Sequence, residues 1–354
     1  MDSQNEKTLF DTYQMGDLTL SNRIGVAALV MAIAKSNNDP KINIPTDYQV
    51  KFLSERTDSG FIITECSAIS KQGYAYLGSA GIWNKEQTEA WKKVVDAVHN
   101  KGGLIIHQIF HGGRRVNPAD SGEKSLAPSA IPRNTYDKEG KPTPTHVPTA
   151  MTVNDINSVL EEYHQAALRV KEAGFDGVEL HAANGYLVDE FLRDGTNKRT
   201  DEYGGSVENR ARFCLEAIDQ LISVFGKGRV GIKLSPVERL NDMFDSNPLQ
   251  TFTYLLQKLD EKGIAFVELT EPPKIEEKTC YIEGKEQIPE VAKAFRGAFT
   301  RTLITNKGHT PETALDYINK GWADLVTFGN LFIANPDLVN KIKNGSELNQ
   351  KWEA

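Results

Sequence analysis

Residues 174–212 read GFDGVELHAANGYLVDEFLRDGTNKRTDEYGGSVENRAR. Gly174 ends a helical pattern in which Ile156, Val159, Tyr163, Ala167 and Val170 recur at helical spacing behind Thr152-x-x-Asp155, a capping-box variant. Gly177–Leu180 is then a short apolar run without alternation, which is how a strand buried on both faces reads. Ser206 opens the next helix, with Phe213, Ala217, Leu221 and Val224 on one face and Gly226 past its end. A buried strand between amphipathic helices is the repeating unit of a parallel α/β sheet.

The same alternation extends in both directions. Further strands are expected at Ile24–Leu29, Phe61–Cys66, Leu104–Ile109, Val230–Ser235, Phe266–Thr270, Thr302–Thr305 and Leu325–Phe328. Roughly eight strand–helix units with short connections make a single α/β domain over residues 1–354, a (β/α)8 TIM barrel. A doubly wound open sheet would usually carry Gly-x-Gly-x-x-Gly after its first strand, and none follows Leu29. Residues 121–150, rich in Pro, Thr and Ser, follow the third strand and are expected as a long loop on the active-site face.

Composition narrows the partners. A net charge of −7 and a pI near 5.6 argue against nucleic acid, whose phosphates require a basic surface. Ile24–Ala34 and Leu104–Phe110, the longest apolar stretches, are too short to span a bilayer, so no membrane insertion is expected. The polar start has neither a secretion signal's apolar core nor a transit peptide's Arg-rich face, and a cytoplasmic location is the expectation. Cys66, Cys214 and Cys280 are far apart and odd in number, which suits neither a disulfide framework nor a metal site.

In a barrel, chemistry sits where strands end. The fourth expected strand ends in Glu179-Leu180-His181-Ala182-Ala183-Asn184-Gly185-Tyr186. His181 and Asn184 are three apart, so one helical turn would put both on one face, offering two N–H donors to a common oxygen. Tyr186 is then a candidate acid for a basic carbanion beside them. On these eight residues alone, a hydrogen-bonded histidine capping a strand is the favoured reading of His181.

The block as a whole closely resembles the signature of the old yellow enzyme family of FMN-dependent ene-reductases. The resemblance covers nearly the whole chain, through Leu18–Ile24, Ile63-Thr64-Glu65, Gln108–Arg114, and Gly329 with Phe332–Leu338. It implies a ping-pong cycle in which NADPH or NADH reduces FMN and an α,β-unsaturated carbonyl compound then takes the donor's place. It gives His181 and Asn184 the substrate's carbonyl oxygen, and Tyr186 the protonation of the α-carbon. Gln108 matches the side chain on the flavin pyrimidine, and Tyr76 and Phe110 match aromatic walls of the substrate pocket. Ala28, Leu29, Val30, Cys66, Lys233, Lys307, Gly308, Gly329 and Asn330 fall at cofactor positions. Arg193 and Tyr203 read first as loop-fixing residues.

Departures from the family cluster on the cofactor. Val30 stands where a hydroxyl or thiol usually reaches flavin O4, and Lys233 replaces the usual Arg beside N1 and O2. The usual Asn-Gly-Gly and Gly-Arg of the phosphate loops are Asn306-Lys307-Gly308 and Gly329-Asn330. The chain ends soon after Leu348-Asn349, where many members continue into a tail with a Tyr or Phe near the site. An active flavoenzyme in which Lys307 supplies the missing phosphate charge is one reading. A barrel with weakened FMN binding, kept as a structural or assembly subunit, is the second. A flavin-free aldolase with Lys233 as Schiff base is a third. The expected partners are thus a small enone and the nicotinamide donor, with a homo-oligomer or assembly partner left open.

Overall fold

The computed structural model describes residues 6–29, 43–136, 141–272 and 288–350. Eight parallel strands form the barrel: β1 (Ile24–Val26), β2 (Phe61–Ile63), β3 (Ile105–Phe110), β4 (Gly177–Ala182), β5 (Val230–Leu234), β6 (Phe266–Thr270), β7 (Thr302–Asn306) and β8 (Leu325–Phe328). Each pairs with the next in sequence, and β8 pairs with β1 to close the ring. The (β/α)8 architecture is the expected one. β1 and β2 are shorter than the apolar runs that marked them, while β3 and β4 run on to Phe110 and Ala182.

Every residue of β4 is buried, as a strand enclosed by the barrel interior on one side and helices on the other requires. The helix Val153–Glu172 carries the expected capping box, with Thr152 Oγ1 accepting from the Asp155 amide at 3.1 Å. Ser206 caps Val207–Phe225 in the same way, and the two helices pack side by side.

The barrel interior changes character along its axis. Its lower half is a hydrophobic plug of Phe61, Ile63, Ile106, Phe266, Ile304 and Leu325, floored by Met15, Leu18 and Leu20 from the hairpin Tyr13–Met15/Leu18–Leu20. Two strand glycines make room for its rings. A Cβ on Gly25 would lie 2.3 Å from the Phe61 ring and one on Gly231 would lie 2.1 Å from that of Phe266. Above the plug the inward residues turn polar: Gln108, Glu179, Lys233, Glu268, Asn306 and Thr327, all buried. The fold thus keeps its charge under the C-terminal mouth.

The long loop after β3 carries a small exposed hairpin, Asn134–Tyr136 against Pro142–Pro144. Asp242, on the loop after β5, fastens it by accepting from Asn134 Nδ2 at 2.8 Å and from the Tyr136 hydroxyl at 3.2 Å. Cys66 and Cys214 are buried free thiols, and Cys280 lies outside the described residues. Among the described residues no group of side chains could hold a metal ion, and no helix is long and apolar enough to cross a membrane.

Candidate active site

His181 is the penultimate residue of β4, in register with Lys233 of β5. Its Nδ1 accepts the Ala183 amide at 3.2 Å, which puts the ring proton on Nε2. That nitrogen has no partner among the described residues. Burial, reinforced by the Lys233 charge, pushes the imidazole down to about 3. At neutral pH His181 is therefore a neutral donor.

Asn184 reaches the same mouth by a different route from the one its spacing suggested. It is not on a helical turn: it has φ 59° and Gly185 has φ 76°, a left-handed pair between β4 and the short helix Leu187–Leu192. Asparagine tolerates this region better than most residues. The turn is pinned on three sides. The Asn184 amide donates to Ser235 Oγ at 2.8 Å, its carbonyl accepts from Asn241 Nδ2 at 2.8 Å, and the Gly185 amide donates to Asp189 at 2.9 Å. The Asn184 side-chain amide itself has no partner among the described residues.

Tyr186 caps the short helix, with its hydroxyl 2.8 Å from that of Tyr76. Its ring stands edge-on to His181, centroids 4.8 Å apart. Burial holds the phenol well above its ordinary value, so it stays protonated. Phe110, expected as a pocket wall, is wholly buried and backs Tyr186 at 5.1 Å instead. Tyr76 is half-buried beside Tyr186. Cys66 packs in the same cluster, and burial pushes its thiol up.

Beneath these groups the polar layer is tied together by hydrogen bonds and an ion pair, while Glu179 Oε1 is buried with no partner among the described residues. Gln108 Nε2 donates to Glu179 at 2.6 Å, leaving the Gln108 carbonyl oxygen without a partner among the described residues. Lys233 Nζ lies 2.8 Å from Glu268 and 3.3 Å from Asn306 Oδ1. Burial opposes the ammonium, but Glu268 and Glu179 outweigh it and hold Lys233 above its ordinary value. A lysine kept protonated in this way is a poor Schiff-base nucleophile, which removes the aldolase reading.

The cofactor-end positions gather around a cavity of about 1060 Å³ between the loops after β7 and β8, lined by Ala28, Leu29, Lys307, Gly308, Gly329 and Asn330 among others. Val30 lies outside the described residues. Lys307 does adopt the left-handed backbone that a glycine would favour, with φ 72°. Its ammonium, however, pairs with Glu238, so the expected charge compensation is not what its side chain does. The neighbouring Gly308 has φ 75°, and a Cβ on Gly329 would come within 2.9 Å of Leu29, so both loops keep their backbone bare toward the cavity. Residues 347, 348 and 350 line the same space, so the end of the chain is part of this wall.

Several contributors escaped the sequence reading. Ser235 and Asn241 shape the Asn184 turn, and Glu268 pairs with Lys233. His309 and Thr310 line the cavity. Arg193 is the loop-fixing residue expected: it bridges Asp189 at 2.7 Å and donates to the Glu238 carbonyl at 3.1 Å. Tyr203 is tied to Glu216 at 3.0 Å.

The buried titrating groups make stability depend on pH. Burial pushes His107, His111 and His181 each down to about 3. Between that value and an unfolded pKa of about 6.5, the unfolded chain binds protons that the fold refuses. Each histidine then removes up to ~1.4 kcal/mol of stability per pH unit of acidification. Glu179 and Glu190 act oppositely: burial raises both to about 8, so they favour the fold as pH falls through 8 toward their unfolded values. Above about pH 6.5 the carboxyls set the slope, joined by Asp189, Asp245 and Glu271, which burial also raises. The urea midpoint should therefore fall as pH rises from about 6.5 to 8.5; a midpoint still rising at pH 8 would contradict this assignment of protons.

Residues 8–349 match the model of the NADH:flavin oxidoreductase / NADH oxidase family. The chain is 38% identical to the probable flavin mononucleotide-dependent alkene reductase of Leishmania infantum, over 95% of this chain and 90% of that one. It is 37% identical to 12-oxophytodienoate reductase 1 of Oryza sativa subsp. japonica, over 97% and 87% respectively. Among solved structures, morphinone reductase in complex with tetrahydroNAD superposes with a TM-score of 0.86 at 37% identity, covering 97% of this chain and 92% of that one.

Proposed function

The chain belongs to the NADH:flavin oxidoreductase / NADH oxidase family, and from that premise we propose that it is an FMN-dependent oxidoreductase reducing the C=C bond of α,β-unsaturated carbonyl compounds with NAD(P)H. The observation that carries this reading is that two donors on the turn leading to a protonated Tyr186, His181 Nε2–H and the Asn184 side-chain amide, have no partner among the described residues. A purely structural subunit has no use for that arrangement.

The residues present fit FMN. The cavity is large enough for a ligand of that size, bare backbone lines it at Gly308 and Gly329, and the Gln108 side-chain oxygen has no partner among the described residues. Gln108 and Lys233 would hold the ring, and the loops at Lys307-Gly308 and Gly329-Asn330 would hold the phosphate. When bound, FMN supplies the two-electron chemistry that couples nicotinamide oxidation to alkene reduction.

The chain's own residues supply the rest. His181 and Asn184 bind the carbonyl oxygen and stabilise the negative charge that builds there as the β-carbon is reduced. With His181 neutral and its Nδ1 accepting the Ala183 amide, the one ring N–H is on Nε2, free to donate to that oxygen. Tyr186 protonates the α-carbon, and its hydrogen bond to Tyr76 gives the phenolate a donor once the proton has left. Donor and enone use this one pocket in turn. The reading is supported by two buried free thiols, which suit the reducing cytoplasm as the place of action.

The test is direct. The purified protein should be yellow, release FMN rather than riboflavin on denaturation, and consume NADPH or NADH in step with cyclohexenone. A colourless protein that cannot be loaded with FMN would overturn the reading.

A further inference from the structure

The polar layer beneath the mouth closes into a circuit around one ammonium. Lys233 Nζ lies 2.8 Å from Glu268 Oε2 and donates to Asn306 Oδ1 at 3.3 Å. Asn306 Nδ2 donates to Thr327 Oγ1 at 2.9 Å, and the Thr327 hydroxyl in turn donates to Glu268 Oε1. Both oxygens of Glu268 therefore face donors, as those of an ionised carboxylate do. Asn306 and Thr327 also line the large cavity, so the ion pair lies directly behind its wall. The Lys233 and Glu268 side chains are 6% and 0% exposed, and salt screens a pair so enclosed very little.

The layer consequently presents no uncompensated positive charge. Lys233 is the residue that falls beside flavin N1 and O2, where a free ammonium would favour the electron-rich reduced ring. Glu268 offsets that charge at 2.8 Å. Glu179 adds nothing positive: burial, with Glu268 nearby, pushes its carboxyl up to about 8, and ionising it would only make the layer negative. Lys307, on the cavity wall, is already paired with Glu238. Reduction moves a hydride, two electrons with one proton, from the nicotinamide to the ring. The nicotinamide leaves as its oxidised cation and the ring gains one negative charge, so any charge facing the ring enters that equilibrium.

We propose that Glu268 sets the reduction potential of the bound flavin through Lys233: its carboxylate cancels the ammonium, so the reduced ring is stabilised less than a lone lysine would stabilise it. This rests on the reading that FMN occupies the cavity with its ring held by Lys233. The flavin is then harder to reduce by NAD(P)H and, once reduced, a stronger hydride donor to the enone. Glu268 acts through its neighbour and is a positioning residue. Lys233 keeps the positive charge of the arginine it replaces, but Glu268 removes most of its effect.

The test reads a potential rather than turnover. The FMN-loaded protein is photoreduced anaerobically beside a dye of known potential, with no nicotinamide present, and both spectra are followed to equilibrium. Variants are made on the native chain and on Glu179→Gln, which keeps an acceptor for Gln108 but cannot ionise in place of Glu268. Glu268→Gln is expected to shift the flavin–dye equilibrium toward reduced flavin by about tenfold or more, about 30 mV for a two-electron couple. Adding Lys233→Gln to Glu268→Gln should restore the parent potential, because the ion pair is then removed whole. An unchanged or lower potential for Glu268→Gln in every series that holds FMN would overturn the proposal, as would a double variant that keeps the full rise. If Glu268→Gln fails to hold FMN, Lys233→Gln and the double variant measure the same carboxylate. The double variant should then lie about tenfold or more toward reduced flavin, and equal potentials would overturn the proposal. A parent protein that cannot be loaded with FMN overturns both this proposal and the reading beneath it, whereas a yellow series indifferent to Glu268 overturns this proposal alone.

Discussion

Replacing His181 by Ala and Asn184 by Gly together should slow enone reduction by about a thousandfold or more. One well-placed donor to a developing oxyanion contributes about 2.7–4 kcal/mol to the barrier, and two donors acting on one oxygen need not add. The choice of Gly at 184 matters. The residue sits at φ 59°, so Ala would add about 1–2 kcal/mol of left-handed strain. A slow Asn184→Ala enzyme could then be slow because its turn had moved. Asn184→Gly keeps the backbone and removes only the donor. Anaerobic stopped-flow reoxidation of the reduced protein by cyclohexenone reads the effect, with thermal unfolding as the control. A double variant as fast as the parent would mean that the carbonyl is held elsewhere.

Asn330→Arg should tighten FMN binding by roughly ten- to a hundredfold, from about 1.5–3 kcal/mol for hydrogen bonds to a charged group. Asn330 is exposed at the start of the short helix Asn330–Ala334 and lines the cavity. Lys307 cannot stand in for an arginine there while its ammonium pairs with Glu238. Lys307→Ala should for the same reason change FMN affinity little. Quenching of flavin fluorescence during reconstitution measures both, with riboflavin as the comparison. An Asn330→Arg protein that gains equally for FMN and riboflavin would show that the phosphate lies elsewhere.

Much of this was legible in the chain because barrel strands are buried on both faces and leave unbroken apolar runs. Gly177–Leu180 marked β4 almost to its end, and Thr152 and Ser206 marked their helices to the residue. His181 and Asn184 were legible as two donors at the end of β4, but the backbone that links them was not. Spacing of three suggested a helical turn, whereas the backbone there is set by Ser235, Asn241 and Asp189, which lie on other segments or further along. The charge partners were hidden for the same reason. Nothing local to Lys233 announces Glu268, and nothing local to Lys307 announces Glu238, since each pair forms only when distant strands or loops meet. Phe110 misled because an aromatic at a strand end can face the pocket or back it, and sequence does not distinguish the two.

The central claim is that His181, Asn184 and Tyr186 work with FMN as an enone reductase, and one anaerobic single-turnover experiment tests it most directly. The FMN-loaded protein is reduced with one equivalent of NADPH, freed of nicotinamide, and mixed with cyclohexenone. The account predicts that the flavin absorbance returns while an equal amount of cyclohexanone forms. A flavin that stays reduced in the presence of excess cyclohexenone would contradict it.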